Sequence, residues 1–200
     1  MRQDEANIVR SVLDGRTDEY RRLVEDHQEQ VFATIRRLVG DRDLAEELAH
    51  ESFVRAYRAL AQFRGDASFG TWVTQIAVHL VRDHFRRRRR AVVVPLDELG
   101  SADGADDVFI EHRSGFDPYA ELEERELLQR IERAMDDLPP DYRQVLVLRH
   151  LEGWSYERIA EVTGDSVGAL KVRAHRARRL VHEALQADEN PRRDRAAVRS

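Results

Sequence analysis

Residues Trp154–Leu185 read WSYERIAEVTGDSVGALKVRAHRARRLVHEAL, and the way this stretch divides decides the fold. Ser155 is placed to cap a helix of about two turns carrying Ile159, Ala160 and Val162. Gly164 supplies a tight turn and Ser166 a second cap. Helix, short turn with glycine and helix is the outline of a helix-turn-helix. At about 100° per residue, Leu170, Ala174, Ala177 and Val181 fall on one narrow apolar seam, while Gly168, Lys171, Val172, His175, Arg176 and Arg179 fall opposite. That outer face has almost no acid, is small near its start and grows longer toward its end. Such a face suits insertion into a major groove, with phosphate contacts farther along.

Working backward, the short run DYRQVLVLRHLEG ends at Gly153. Before it, Asp117 and Pro118 make a helix cap and first position, with Glu121, Glu123 and Glu124 near the positive end of the helix dipole. Leu128, Ile131, Met135 and Leu138 then recur at helical spacing until Pro139 and Pro140 stop the pattern. Farther back, PLDELGSADGADD, residues 95–107, is rich in Gly, Asp and Ser and reads as a linker between two domains.

The N-terminal half shows no sustained period-two alternation and reads as helical. Thr17 or Asp18 caps a helix running to about Val39, stopped by Gly40. A second helix begins near Asp41. On it Leu44, Ala45, Leu48, Ala49, Ser52, Phe53, Ala56, Tyr57 and Leu60 fill one broad arc, and Asp43, Glu47, His50, Glu51, Val54 and Arg58 form the opposite stripe. Gly65, Asp66, Ser68 and Gly70 then interrupt the periodicity, with Phe63, Phe69 and Trp72 flanking the loop. Aromatics beside a loop are more often anchors of a small core, but a basic helix from Thr71 to about Arg90 follows directly and makes base stacking a second candidate role for them.

Charge is sharply divided. The chain has 200 residues and a formal net charge of −5. Residues 67–90 hold six arginines against one acid, whereas 91–126 hold two arginines against eleven. A polyanion senses the local field of the first segment, not the net figure. The hydrophobic fraction of 42% fits globular domains, and the 36% of charged residues fits helices with charged outer faces. Cysteine is absent, which excludes disulfides and thiolate zinc sites. No apolar run approaches the length of a bilayer span or a signal-peptide core, so a cytoplasmic protein without direct membrane insertion is expected.

Three blocks, DLAEELAHESFVRAYRAL, FRGDASFGTWVTQIAVHLVRDHFRRRRR and LPPDYRQVLVLRHLEGWSYERIAEVTGDSVGALKVRAHRAR, occur in an order and spacing that resemble a bacterial RNA polymerase sigma factor of the extracytoplasmic-function (ECF) group. The resemblance implies an all-α chain of two small helical domains joined by an acidic linker. Residues 1–90 would be region 2, a helical bundle that binds the polymerase and recognises and melts the minus-ten element. Residues 91–117 would be the linker, 118–187 region 4 with its helix-turn-helix for the minus-thirty-five element, and 188–200 a disordered tail.

In that family the stripe matching Asp43, Glu47, His50, Glu51 and Val54 docks on the β′ clamp helices of core RNA polymerase. The loop and helix matching Phe63, Arg64, Gly65, Asp66, Phe69, Trp72, His79 and Arg82 handle a flipped minus-ten base and adjacent duplex. Arg86, Arg87, Arg88, Arg89 and Arg90 would hold phosphates of promoter DNA, each contact adding salt-dependent affinity. Gly168, Ala169, Lys171, Val172, Arg173, His175, Arg176 and Arg179 would read the minus-thirty-five element, and region 4 would also bind the β flap. An anti-sigma factor is a further partner the resemblance implies.

Five departures from the family pattern stand out. His79 stands where Asn is usual, His50 where Gln is usual, Arg158 where a capping Glu is usual, and Ala169 and Val172 where Thr and Ser are common. The last two leave fewer hydrogen-bonding atoms and more reliance on Lys171, His175, Arg176 and contact with thymine methyls.

Two competing classes are weaker. A helix-turn-helix activator of the response-regulator or quorum type shares the C-terminal outline but carries a receiver or ligand domain, usually with strands. An enzyme would need a nucleophile or phosphate-loop motif that the sequence lacks. His79 and His84 lie about 140° apart on one helix, so neither a metal nor a cofactor is expected.

Overall fold

The computed structural model describes residues 3–91 and 118–197, with side chains described over 4–88 and 125–188. Eight α-helices account for most of these residues: α1 (Gln3–Leu13), α2 (Tyr20–Val39), α3 (Arg42–Arg58), α4 (Phe69–Ala91), α5 (Pro118–Asp136), α6 (Pro140–Leu146), α7 (Tyr156–Thr163) and α8 (Val167–Ala197). Short 3₁₀ turns precede α2 and follow α3, and a π turn, Val147–Leu151, prolongs α6. No strand occurs among the described residues.

Helix boundaries follow the cap chemistry closely. Gly40 adopts a φ of 75°, a left-handed conformation that residues with a Cβ rarely take, and returns its N–H to the Arg36 carbonyl. Asp41 then caps α3 by accepting the Leu44 N–H at 3.0 Å. Ser155 accepts the Arg158 N–H at 3.2 Å, and Ser166 accepts the Ala169 N–H at 3.2 Å. Between those caps Gly164, with φ of 69°, makes the turn of the helix-turn-helix. Pro139 and Pro140 act twice: α5 ends before them, and Pro140 opens α6 at the first helical position, where its missing N–H costs nothing.

The expected cap at Thr17 or Asp18 is absent. Both residues lie in the 3₁₀ turn, and α2 begins at Tyr20 without a side-chain cap. Asp117, most of the linker (92–117) and Val198–Ser200 lie outside the described residues. The stretch expected to be a disordered tail is helical as far as Ala197. Arg130 of α5 grips its start, donating to the Leu185 carbonyl at 2.7 Å and to Asp188 at 3.1 Å.

The first half is a bundle in which α2, α3 and α4 pack on one another and α1 lies across α2. Leu23, Val31, Ile35, Ala45, Leu48, Phe53, Ala56, Phe69, Val73, Ala77 and Val78 fill its core. Tyr57, assigned to the same core arc of α3, is 42% exposed and only edges against the Tyr20 ring at 4.9 Å. In the second half α5, α6 and α7 all pack on α8, whose buried Leu170, Ala174 and Ala177 are the seam read from the sequence. Leu128 departs from its pattern and is 47% exposed.

The halves are not separate. Helix α4 packs on α7, and α2 on α6 and the π turn. Val145, Leu148, Trp154, Ile159 and Leu170 consequently join one apolar cluster with Val31, Ile35, Val78 and Val81. Thr34 donates to Glu152 at 2.6 Å, and Arg36 lies 3.9 Å from Asp136 across the same junction. Beside it Arg143, 6% exposed, donates to the carbonyls of Met135, Asp136 and Leu138 and so satisfies the last turn of α5.

Candidate nucleic-acid interface

Behind the loop between α3 and α4 sits a group of three aromatic rings, Phe63 from the turn after α3 and Phe69 and Trp72 from the first turn of α4. Phe63 and Trp72 rings lie 4.9 Å apart, and each is within 6 Å of Phe69, at 5.8 and 5.9 Å. Phe69 is wholly buried, whereas Phe63 and Trp72 are half-buried and so present ring surface outward. Arg64 and Asp66 are exposed on the loop between them, and Gly65 turns the chain with φ of 77°. Ring faces with a cation beside them can stack an unpaired base, a contact open to any base.

Helix α4 continues this surface. His79 and Arg82 are exposed, and the Arg82 guanidinium lies near the Gly164 turn, 3.9 Å from where a Cβ on that glycine would stand. Arg86, Arg87 and Arg88 are exposed on the last turns. Asp83 restrains two of them: its carboxylate is 3.1 Å from Arg86, and its carbonyl accepts from Arg87 at 3.2 Å. Arg89 and Arg90 belong to the same helix by backbone, and their side chains lie outside the described residues.

On α3 the polar stripe points away from the bundle. Asp43, Glu47 and His50 are exposed, and Glu51 and Val54 are half-buried. Glu51 accepts from Arg55 at 2.7 Å, a hydrogen bond that holds its carboxyl below the usual carboxylate range. Glu51 therefore keeps its negative charge at neutral pH.

The outer face of α8 is arranged much as the projection requires. Gly168, Lys171, His175 and Arg179 are exposed, and Ala169, Val172 and Arg176 are half-buried. A Cβ at Gly168 would meet nothing within 4 Å, so the helix start is open to close approach. Arg173 is turned elsewhere: it forms a two-pronged pair with Asp165 at 2.8 and 3.2 Å, facing α4 and α6 across a small cavity.

The sequence did not single out the aromatic support of this face. Lys171 Nζ lies 5.9 Å from the Tyr156 ring, Arg149 lies 5.2 Å from the same ring, and Arg158 stacks 4.3 Å from the Trp154 ring. The Arg158–Trp154 pair could have been noticed from its spacing of four residues. The side chain that replaces a capping Glu thus covers an aromatic ring. Among the described residues no group of His, Asp and Glu is placed to hold a metal ion.

Two basic helical surfaces, one beside an aromatic loop and one on a helix-turn-helix, have the charge and shape that suit a nucleic-acid-binding protein. Residues 23–91 match the family described as Sigma-70 region 2, and residues 128–181 match Sigma-70, region 4. The RNA polymerase sigma-H factor of Pseudomonas aeruginosa is 33% identical over 92% of this chain and 95% of its own length. The ECF RNA polymerase sigma-E factor of Haemophilus influenzae is 31% identical over 90% and 94%.

Among solved structures, the fold is like that of the sigma factor RpoE in complex with the anti-sigma factor NepR from Bartonella quintana. There the TM-score is 0.57 at 22% identity, over 85% of this chain and 98% of that one. It is also like CnrH in complex with the cytosolic domain of CnrY, with a TM-score of 0.56 at 24% identity over 92% and 98%.

The chain belongs to the sigma-70 family of RNA polymerase sigma factors, in its ECF group. It is an alternative sigma factor, which binds core RNA polymerase and promoter DNA and directs promoter-specific initiation; sigma factors regulate transcription and are not enzymes. A receiver-domain activator is not favoured, since residues 23–91 match region 2 where such a domain would stand. No helix among the described residues is long and apolar enough to cross a membrane.

Proposed function

We propose the following division of labour. Residues 1–90 act as region 2: Asp43, Glu47, His50, Glu51 and Val54 dock on the β′ clamp helices, and the Phe63, Phe69 and Trp72 group takes a flipped minus-ten base. His79, Arg82 and the run from Arg86 to Arg90 hold the duplex beside it. Residues 118–187 act as region 4, with Lys171, His175, Arg176 and Arg179 on the minus-thirty-five element and Gly168, Ala169 and Val172 at the closest approach to the groove. Arg173 serves as a brace for the turn through Asp165. The protein works in the cytoplasm, where an anti-sigma factor controls it, as the complexes formed by its structural neighbours suggest.

The observation that carries this reading furthest is the junction between the halves. Elements named for positions about 25 base pairs apart are separated by about 85 Å of duplex at 34 Å per ten base pairs. Packed through α4 and α7, the two halves cannot reach both. The 26 residues from 92 to 117 could reach at most about 90 Å when extended, long enough for the halves to part. The packed form is therefore the resting one, and polymerase separates the halves.

The chain has no native cysteine, so dyes can be placed singly at exposed Gln28 and Glu161. Energy transfer between them should be high in the free protein and fall to near background when core enzyme and promoter are added. Undiminished transfer in a transcriptionally competent complex would refute the opening.

A further inference from the structure

Helix α1 starts at Gln3, well ahead of residue 23 where the region 2 match begins. It carries a carboxylate into the interior. Glu5 is only 5% exposed. Its Oε2 accepts the Phe69 N–H at 3.4 Å, and its Oε1 lies 3.2 Å from His27 Nε2. A buried carboxylate without partners is strongly unfavourable, so both contacts are needed to hold it there.

The two partners come from different helices. Phe69 is the first residue of α4, and its N–H is one of the four that a helix leaves without an internal partner. A negative charge at this end also suits the helix dipole. Ser68 accepts the Thr71 N–H at 3.2 Å, so Glu5 supplies a second, tertiary cap. His27 of α2 lies flush on the same turn: a Cβ at Gly70 would come within 2.6 Å of its Nδ1. The His27 ring is 5.8 Å from that of Phe69. Helices α1, α2 and α4 therefore meet at one polar point directly behind residues 63–68, and the residue clamped there is the buried base of the Phe63 and Trp72 group.

We infer that Glu5, through His27 and the Phe69 amide, is a positioning residue that sets the geometry of the minus-ten pocket. The inference rests on the assignment of that loop to the minus-ten element. A pocket that takes a flipped base must recover the few kcal/mol lost on unstacking, and only a closely held pocket does so for one base better than another. If Glu5 served stability alone, its loss would weaken every activity of the chain together.

The test uses holoenzyme reconstituted with the full chain, selecting from fork-junction DNA randomised across the minus-ten element and, separately, across the minus-thirty-five element. In Glu5→Leu, discrimination between best and worst base at the most selective minus-ten position should fall about tenfold, the scale of a small misplacement of a positioned group. Glu5→Gln, which retains an acceptor for the Phe69 N–H, should restore most of it. Minus-thirty-five preference and affinity for core enzyme should not change.

If Glu5→Leu does not fold, His27→Gln is read in its place, with the loss again confined to the minus-ten element. Undiminished minus-ten discrimination, or equal losses at both elements, would overturn the inference. Wild-type holoenzyme with no minus-ten preference would instead overturn the loop assignment.

Discussion

Replacing Arg86, Arg87, Arg88, Arg89 and Arg90 together with Gln removes the densest positive charge in the chain. Each cation that neutralises a duplex phosphate adds about 0.9 to the slope of log affinity against log salt. Arg86 is already paired with Asp83 at 3.1 Å, so four to five contacts are counted. The variant's slope should then be shallower by about 3.6 to 4.5, and across a fourfold rise in salt the wild type should lose about 150- to 500-fold more affinity than the variant. The assay is fluorescence anisotropy of reconstituted holoenzyme on a selected promoter fragment and on random-sequence duplex, from low to high salt. Phosphate contacts are blind to sequence, so both DNAs should change alike. The variant's Tm should hold or rise slightly, because like charges crowded at a helix end repel rather than stabilise. An unchanged slope, or a loss confined to one sequence, would refute the reasoning.

Arg143→Met should cost about 3 kcal/mol, since one buried guanidinium serves three carbonyls at the end of α5. Thermal unfolding should report this as a fall in Tm of about 6–12 °C, and an unaltered Tm would show that the three bonds contribute nothing net. Lys171→Ala should change which minus-thirty-five sequences the holoenzyme selects, while altering the salt slope by no more than about one; a uniform loss over all sequences would place Lys171 on phosphate alone.

Legibility in the sequence was uneven, for physical reasons. Local features came through because their causes are local: Gly40, Asp41, Ser155, Gly164 and Ser166 end or cap helices by chemistry within three or four residues. The seam of Leu170, Ala174 and Ala177 followed from helical period. Long-range features did not come through. Nothing near Arg143 in sequence announces that its guanidinium is buried beneath α5 and against Gly40. Nor does Glu5 signal a partner 64 residues away at Phe69.

At the candidate site, exposure on α8 followed the projection, whereas Arg173, which only the family resemblance set among the DNA-facing residues, pairs with Asp165 instead. That residue shares the basic character of its neighbours, but Asp165, eight residues earlier, comes within reach only once the turn has formed. The packing of α4 on α7 was hidden as well, because an acidic linker reads as a separator whether or not the modules it joins touch.

Run-off transcription tests the central claim most directly. Core RNA polymerase is combined with the purified chain on a library of promoter fragments, and the start sites are sequenced. The account predicts products that begin at defined positions, require the chain, and share upstream elements near minus ten and minus thirty-five. Transcripts that start at random, or that form equally well without the chain, would contradict it.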